Sequence, residues 1–180
     1  MGKYIHIIRR KRRIHLYAAE GKSLFNASKK WLFNWDYFTK EDLKDIKSEF
    51  AINPELLLDP TPIAGVDNVW CDIVIAANKL FHVDIVACDE KKRYKKLTFV
   101  AHYDGGIYIS QYLMDDVYKG LPLWAKNLSL EYFSEQEKEV IVNMCTKENI
   151  LLSNEIESVW LYRFKVMTRK YMVLVVIATK

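Results

Sequence analysis

The sequence predicts an α+β fold: a mainly antiparallel β-sheet of six to eight strands with helices at about 23–50 and 134–146. Three observations predict it. Residues 69–112 alternate at period two, as strands with one buried face do. Turn chemistry interrupts that alternation at short intervals. Two segments, 23–50 and 134–146, switch to three-four apolar spacing behind good capping residues.

Tyr4–Ile8 and Ile14–Ala18 alternate on either side of the basic run Arg9–Arg13, which reads as two strands joined by a charged turn, or one long bent strand. Ser23 can cap a helix whose apolar positions are Leu24, Ala27, Trp31, Leu32 and Trp35. A second helix should open at Thr39, where Thr39 and Asp42 form a capping box with Asp in place of Glu, and Leu43, Ile46 and Phe50 supply a narrow stripe. Asn53-Pro54 begins a short helical turn. Asp59-Pro60-Thr61-Pro62 enforces an extended linker, so a minor seam is expected at 59–65 within a single domain, 1–180.

The central alternation places Val69, Cys71, Ile73, Ile75 and Ala77 on one parity, then Phe81, Val83, Ile85 and Ala87, then Leu97, Phe99 and Ala101, then Ile107 and Ile109. Three-residue loops at Asn78–Leu80 and Asp104–Gly106 would keep these odd positions on one core face. The expectation is a meander over 69–112, with an edge strand possible at either end. The opposite parity, with Trp70, Asp72, His82, Asp84, Thr98, His102, Tyr108 and Tyr112, would face outward. Tyr112–Lys119 reads as a short helix ended by Gly120, with Pro122 just beyond. Ser134-Glu135-Gln136-Glu137 is a regular capping box, and Val140, Ile141, Met144 and Cys145 follow on one side. A C-terminal hairpin, 158–179, closes the fold; Tyr171–Ala178 is apolar on both faces, as a central strand is. No repeat period stands out.

Composition narrows the function. The 180 residues are 51% hydrophobic and 28% charged, which excludes a disordered chain, and no apolar run is long enough to span a membrane as a helix. Net charge is +4, but six positive charges fall within the first 13 residues, leaving 21 basic against 23 acidic side chains in the rest. One basic knot on a slightly acidic body is a weak argument for nucleic acid. Cys71, Cys88 and Cys145 are odd in number and lack metal-ligand spacing, so reduced core thiols in a cytoplasmic protein are expected, without a secretory signal.

Gly21-Lys22-Ser23 imitates the end of a phosphate loop, but Leu16 stands where the first Gly is needed. No other catalytic motif is long enough to be specific. The expectation is therefore a non-enzymatic protein-binding module without cofactor or metal. By class base rate it would be an immunity-type inhibitor that occludes a toxin or enzyme through a sheet face or edge strand. Its contacts would be Trp70, Asp72, His82, Asp84, His102 and Tyr108, a mixture of aromatic and polar groups suited to an interface. The alternative is a single-stranded nucleic-acid binder using basic clusters 9–13 and 91–96, chiefly Arg9, Arg10, Lys11, Arg12 and Arg13 with Lys91, Lys92 and Arg93, and Tyr94 and Tyr103 as stacking platforms. A third reading, a metal-dependent nuclease, rests on Asp72 followed by Asp89-Glu90-Lys91-Lys92. The oligomeric state is left open.

Overall fold

Strand β1 (Gly2–Arg10) turns directly into β2 (Arg13–Gly21), with Arg10 opposite Arg13 and Lys11 in a left-handed conformation. The computed structural model describes residues 2–11, 13–88, 96–146 and 156–179. Among them are nine strands, all antiparallel in their described pairings, and four α-helices. The chain divides into two compact units, Met1–Cys88 and Asp89–Lys180. The stretch expected as a seam, 59–65, lies inside the first of them.

In the first unit, helices α1 (Leu24–Asn34) and α2 (Lys40–Ile52) follow the opening hairpin. Ser23 caps α1 through the Asn26 amide, and Thr39 and Asp42 form the complete capping box of α2, as the spacing predicts. A 3-10 turn, Pro54–Leu56, leads to the two-residue strand β3 (Thr61–Pro62), then β4 (Val69–Ala76) and β5 (Lys79–Cys88). The strand order is β2-β1-β5-β4-β3. Trp31, Leu32, Phe38 and Ile46 of the helical layer pack on Ile8, Val74, Phe81, Val83 and Ile85 of the sheet.

The second unit has β6 (Lys96–Tyr103), β7 (Gly106–Tyr112), α3 (Val117–Lys126), α4 (Glu135–Met144), β8 (Val159–Met167) and β9 (Lys170–Thr179). Its strand order is β7-β6-β9-β8. Leu121, Trp124, Phe133 and Ile141 pack on Leu97, Phe99, Phe164 and Leu174. As expected, the doubly apolar β9 is central, flanked by β6 and β8.

The two units therefore repeat one plan: hairpin, two helices, hairpin, with the first strand of one hairpin paired to the last strand of the other. The correspondence extends to single residues. Trp31 and Trp124 occupy the same place in the first helix of each unit, and Ile46 and Ile141 the same place in the second. Before the last hairpin, Asn68 and Ser158 both adopt positive φ, and their carbonyls accept from the Ala87 and Ala178 amides, each at 3.0 Å. The sequence expectation of no repeat is corrected on this point. Core positions keep their place while surface residues have changed, so few identities survive for a linear reading to find.

Three further expectations are corrected. The loops at 78–80 and 104–106 are two-residue turns: Ala76 pairs with Lys79 across Ala77-Asn78, and Tyr103 with Gly106 across Asp104-Gly105, all four turn residues having positive φ. Each two-residue turn shifts parity by one, so the core face of β4 and of β7 is the even set. Segment 69–112 is not a meander, because β5 is flanked by β1 and β4 and β6 by β7 and β9. Gly120 does not end a helix. It lies within α3, where an added Cβ would run into Met114 Sδ and meet Phe99 Cζ at 3.0 Å, and Pro122 is inside the same helix. The glycine permits close approach to the sheet.

Candidate functional site: an apolar hairpin face and a cationic hairpin pocket

The parity shift relocates the outward face of the β4–β5 hairpin. Ile73 pairs with His82 and Ile75 with Leu80, so these four side chains share one side of the hairpin. The three aliphatic ones are 63%, 58% and 50% exposed for Ile73, Ile75 and Leu80 respectively. Cys71 lies on the same face opposite Asp84 and is exposed, which corrects its expected place as a core thiol; Cys88 and Cys145 are buried as expected. The reason is again the turn: both parities of 69–76 are largely apolar, and the turn length decides which is sealed.

The six expected contact residues do not share a surface. Trp70 and Asp72 lie on the helix-covered side of the first unit, Trp70 opposite Ile85 and Asp72 opposite Val83. His82 and Asp84 lie on the other side of that unit. His102 pairs with Ile107 on the side of the second unit's ladder away from its helices, whereas Tyr108 pairs with Ala101 and packs into the helix-side core. Asp72, Asp84 and His102 are buried. The expectation that they face outward is thus corrected; of the six, Trp70, His82 and Tyr108 retain partial exposure.

Burial sets the chemistry of the two carboxyls. Desolvation lifts Asp72 to about 6, offset in part by the Asp59 amide that donates to Oδ2 at 3.2 Å. Desolvation lifts Asp84 further, to about 7, while the nearby Arg9 pulls it down. His82 is lowered by burial and by Arg9, and the Cys71 thiol is raised by burial and by the two aspartates. The described residues carry only one member of the set that the nuclease reading names. Asp72 is committed to a backbone amide and its proposed partners 89–92 lie outside the described residues. No group of three or more potential metal ligands occurs among the described residues.

Three residues of the basic run line a pocket. Arg10, Lys11, Arg13 and His15 of the first hairpin, with Tyr37 from the connection between α1 and α2, line a pocket of 510 Å³. Arg10 is fixed in place: its guanidinium donates to the Tyr37 hydroxyl and lies 5.5 Å from the Tyr37 ring centre and 5.9 Å from that of Phe81. Tyr37 is held in turn by stacking on Trp35 at 4.7 Å, and His15 meets Trp35 edge-on at 5.3 Å. Arg9 instead points to the opposite side of its strand, paired with His82. Of the remaining expected nucleic-acid contacts, Arg12, Lys91, Lys92, Arg93 and Tyr94 lie outside the described residues, and Tyr103 is buried in the core of the second unit.

The second unit has a pocket of 420 Å³ that shares two lining positions with the first, Tyr108 matching His15 and Tyr132 matching Tyr37, with Trp124 and Phe133 behind them, whereas Tyr103, Asp104 and Gly106 do not line it. Among the described residues that line it, none is charged. The shared frame is visible in both connections as an acid-Tyr-Phe-hydroxyl segment, Asp36-Tyr37-Phe38-Thr39 and Glu131-Tyr132-Phe133-Ser134, followed by the capping carboxylate Asp42 or Glu137. The same lysine position of the last hairpin reaches that carboxylate in both units: Lys79 to Asp42 at 2.7 Å and Lys170 to Glu137 at 3.3 Å. The Tyr103 hydroxyl also donates to Glu137, first among the interactions that hold it down to about 2. This segment was the signal from which sequence reasoning could have found both the duplication and the pocket.

No known family model, curated protein or solved structure matches the chain.

Proposed function

We propose that the protein is a non-enzymatic binding module that docks a protein partner on the β4–β5 hairpin face. In the immunity-type form of this reading, it works in the cytoplasm and neutralises a toxin or enzyme by covering it. The observation that carries it is the trio Ile73, Ile75 and Leu80 standing exposed on one face. Three large aliphatic side chains gathered in water support this reading, because an apolar patch of that kind suits a contact surface. The second unit supplies an internal comparison. Its corresponding positions are Arg163, Lys165 and Tyr171, two of them charged, so the plan does not require aliphatic residues there. The free thiols are compatible with a reducing compartment.

The test is capture of a partner from host lysate and from the products of adjacent genes, with Ile73→Arg/Ile75→Lys as the matched control. Recovery by the wild type that is lost in the double variant supports the reading. Equal recovery by both, or none at micromolar concentration, overturns it.

The single-strand reading is favoured by one observation, the gathering of Arg10, Lys11, Arg13 and His15 beside an aromatic. It predicts oligonucleotide affinity that falls steeply between about 50 and 200 mM salt. Absence of binding across that range removes it.

A further inference from the structure

We propose that the pocket at the tip of the β1–β2 hairpin binds a small phosphomonoester of about nucleotide size. Three features carry this. The first is charge: four basic side chains converge on one cavity whose described lining contains no carboxylate. Of the nearest acids, Asp42 is engaged by Lys79, and Asp36 is exposed outside the lining. A phosphomonoester carries close to two negative charges near neutral pH, which matches such a cluster better than a carboxylate does.

The second is preorganisation. The hydrogen bond to Tyr37 and the two ring faces hold the Arg10 guanidinium before any ligand arrives. An arginine already fixed loses little entropy on binding, and its planar fork suits phosphate oxygens. Lys11 and Arg13, both exposed, can close on the anion from the hairpin tip. The third is size and boundary. At 510 Å³ the cavity falls in the range of small-molecule sites and exceeds what a bare phosphate fills.

Comparison between the units sharpens the assignment. At the matching positions Tyr103 stands for Arg10, Asp104 for Lys11, Gly106 for Arg13 and Tyr108 for His15. The first hairpin thus carries two arginines and a lysine at positions where the second has a tyrosine, an aspartate and a glycine. Fold maintenance does not explain the exposed Lys11 and Arg13.

The test is calorimetric titration of the full chain with AMP, adenosine and inorganic phosphate, alongside a short single-stranded oligonucleotide. The expected result is one AMP site per chain, no adenosine binding, and inorganic phosphate weaker by about tenfold or more. Arg13→Glu and Lys11→Glu should each weaken AMP by at least about tenfold while the circular dichroism spectrum and Tm stay unchanged. Tyr132→Phe, in the second pocket, should leave AMP affinity intact. Absence of AMP binding, equal binding of AMP and adenosine, or unchanged affinity in Arg13→Glu overturns the proposal. Inorganic phosphate binding as tightly as AMP overturns it in favour of a bare anion site. Tight oligonucleotide binding without AMP binding overturns it in favour of a polyanion track.

Discussion

Where the first unit presents Arg10, Lys11 and Arg13 at its opening hairpin, the second presents Tyr103, Asp104 and Gly106. Where the first leaves Ile73 and Ile75 bare at its closing hairpin, the second has Arg163 and Lys165. Beneath both pairs of hairpins lie the same Trp in the first helix, the same Tyr-Phe before the second, and the same lysine on its capping carboxylate. The difference teaches which residues the plan needs and which it leaves open. Positions common to the units hold the fold; positions where one unit departs are candidates for function.

The largest effects should come from the shared core. Trp31→Ala and Trp124→Ala should each cost about 3–5 kcal/mol in denaturant unfolding, because each removes a fully sealed indole from between helix and sheet. A cost below about 1 kcal/mol for either would break the claim that the two tryptophans do the same job.

Next comes the buried Asp84, whose counterpart is Val175. With its carboxyl raised to about 7, the folded chain holds a proton there that the unfolded chain has released above pH 4. Its contribution is therefore present at low pH and lost as pH rises through about 7. Asp84→Val should stabilise the protein by about 3 kcal/mol at pH 8 and by much less at pH 5. Unfolding curves at the two pH values check it, and a destabilised variant at pH 8 would show the carboxylate to be useful.

A smaller and opposite pH effect is expected at His6. It is buried against Ser28 with Nε2 3.2 Å from Oγ, and desolvation lowers it to about 3. The unfolded chain takes up a proton that the folded chain refuses, so stability is complete above about pH 6.5 and falls as pH drops toward 3. The second unit places Phe99 and Leu121 at this pair. His6→Phe/Ser28→Leu should remove about 2 kcal/mol of acid sensitivity at pH 5. An unchanged acid profile would place that sensitivity elsewhere.

The smallest stability effect should belong to Ile73→Arg/Ile75→Lys, within about 0.5 kcal/mol, since both side chains already meet water. A large loss of stability would mean that the apolar hairpin face serves the fold and not a partner.

Much of the architecture was legible in the chain. The capping boxes at Thr39 and Ser134 fixed two helix starts because such caps are local: one side chain answers one amide three residues on. The doubly apolar Tyr171–Ala178 announced a central strand for the same kind of reason. The candidate surface was not legible. Val69–Ala76 is apolar on both parities, and a turn of two residues instead of three exchanges the sealed side for the open one. The basic run could be seen as a run, but only folding brings His15 and Tyr37 to it and fixes Arg10 on an aromatic face.

By itself, then, the sequence determined the kinds of element and most of their starting points, since those depend on neighbours within a few residues. Tertiary structure alone decided which face of each strand reaches water, that one plan is used twice, and that two copies of one frame carry opposite surfaces. Those are matters of register and of partners far apart in the chain, where a one-residue slip reverses every side chain and leaves local propensities untouched.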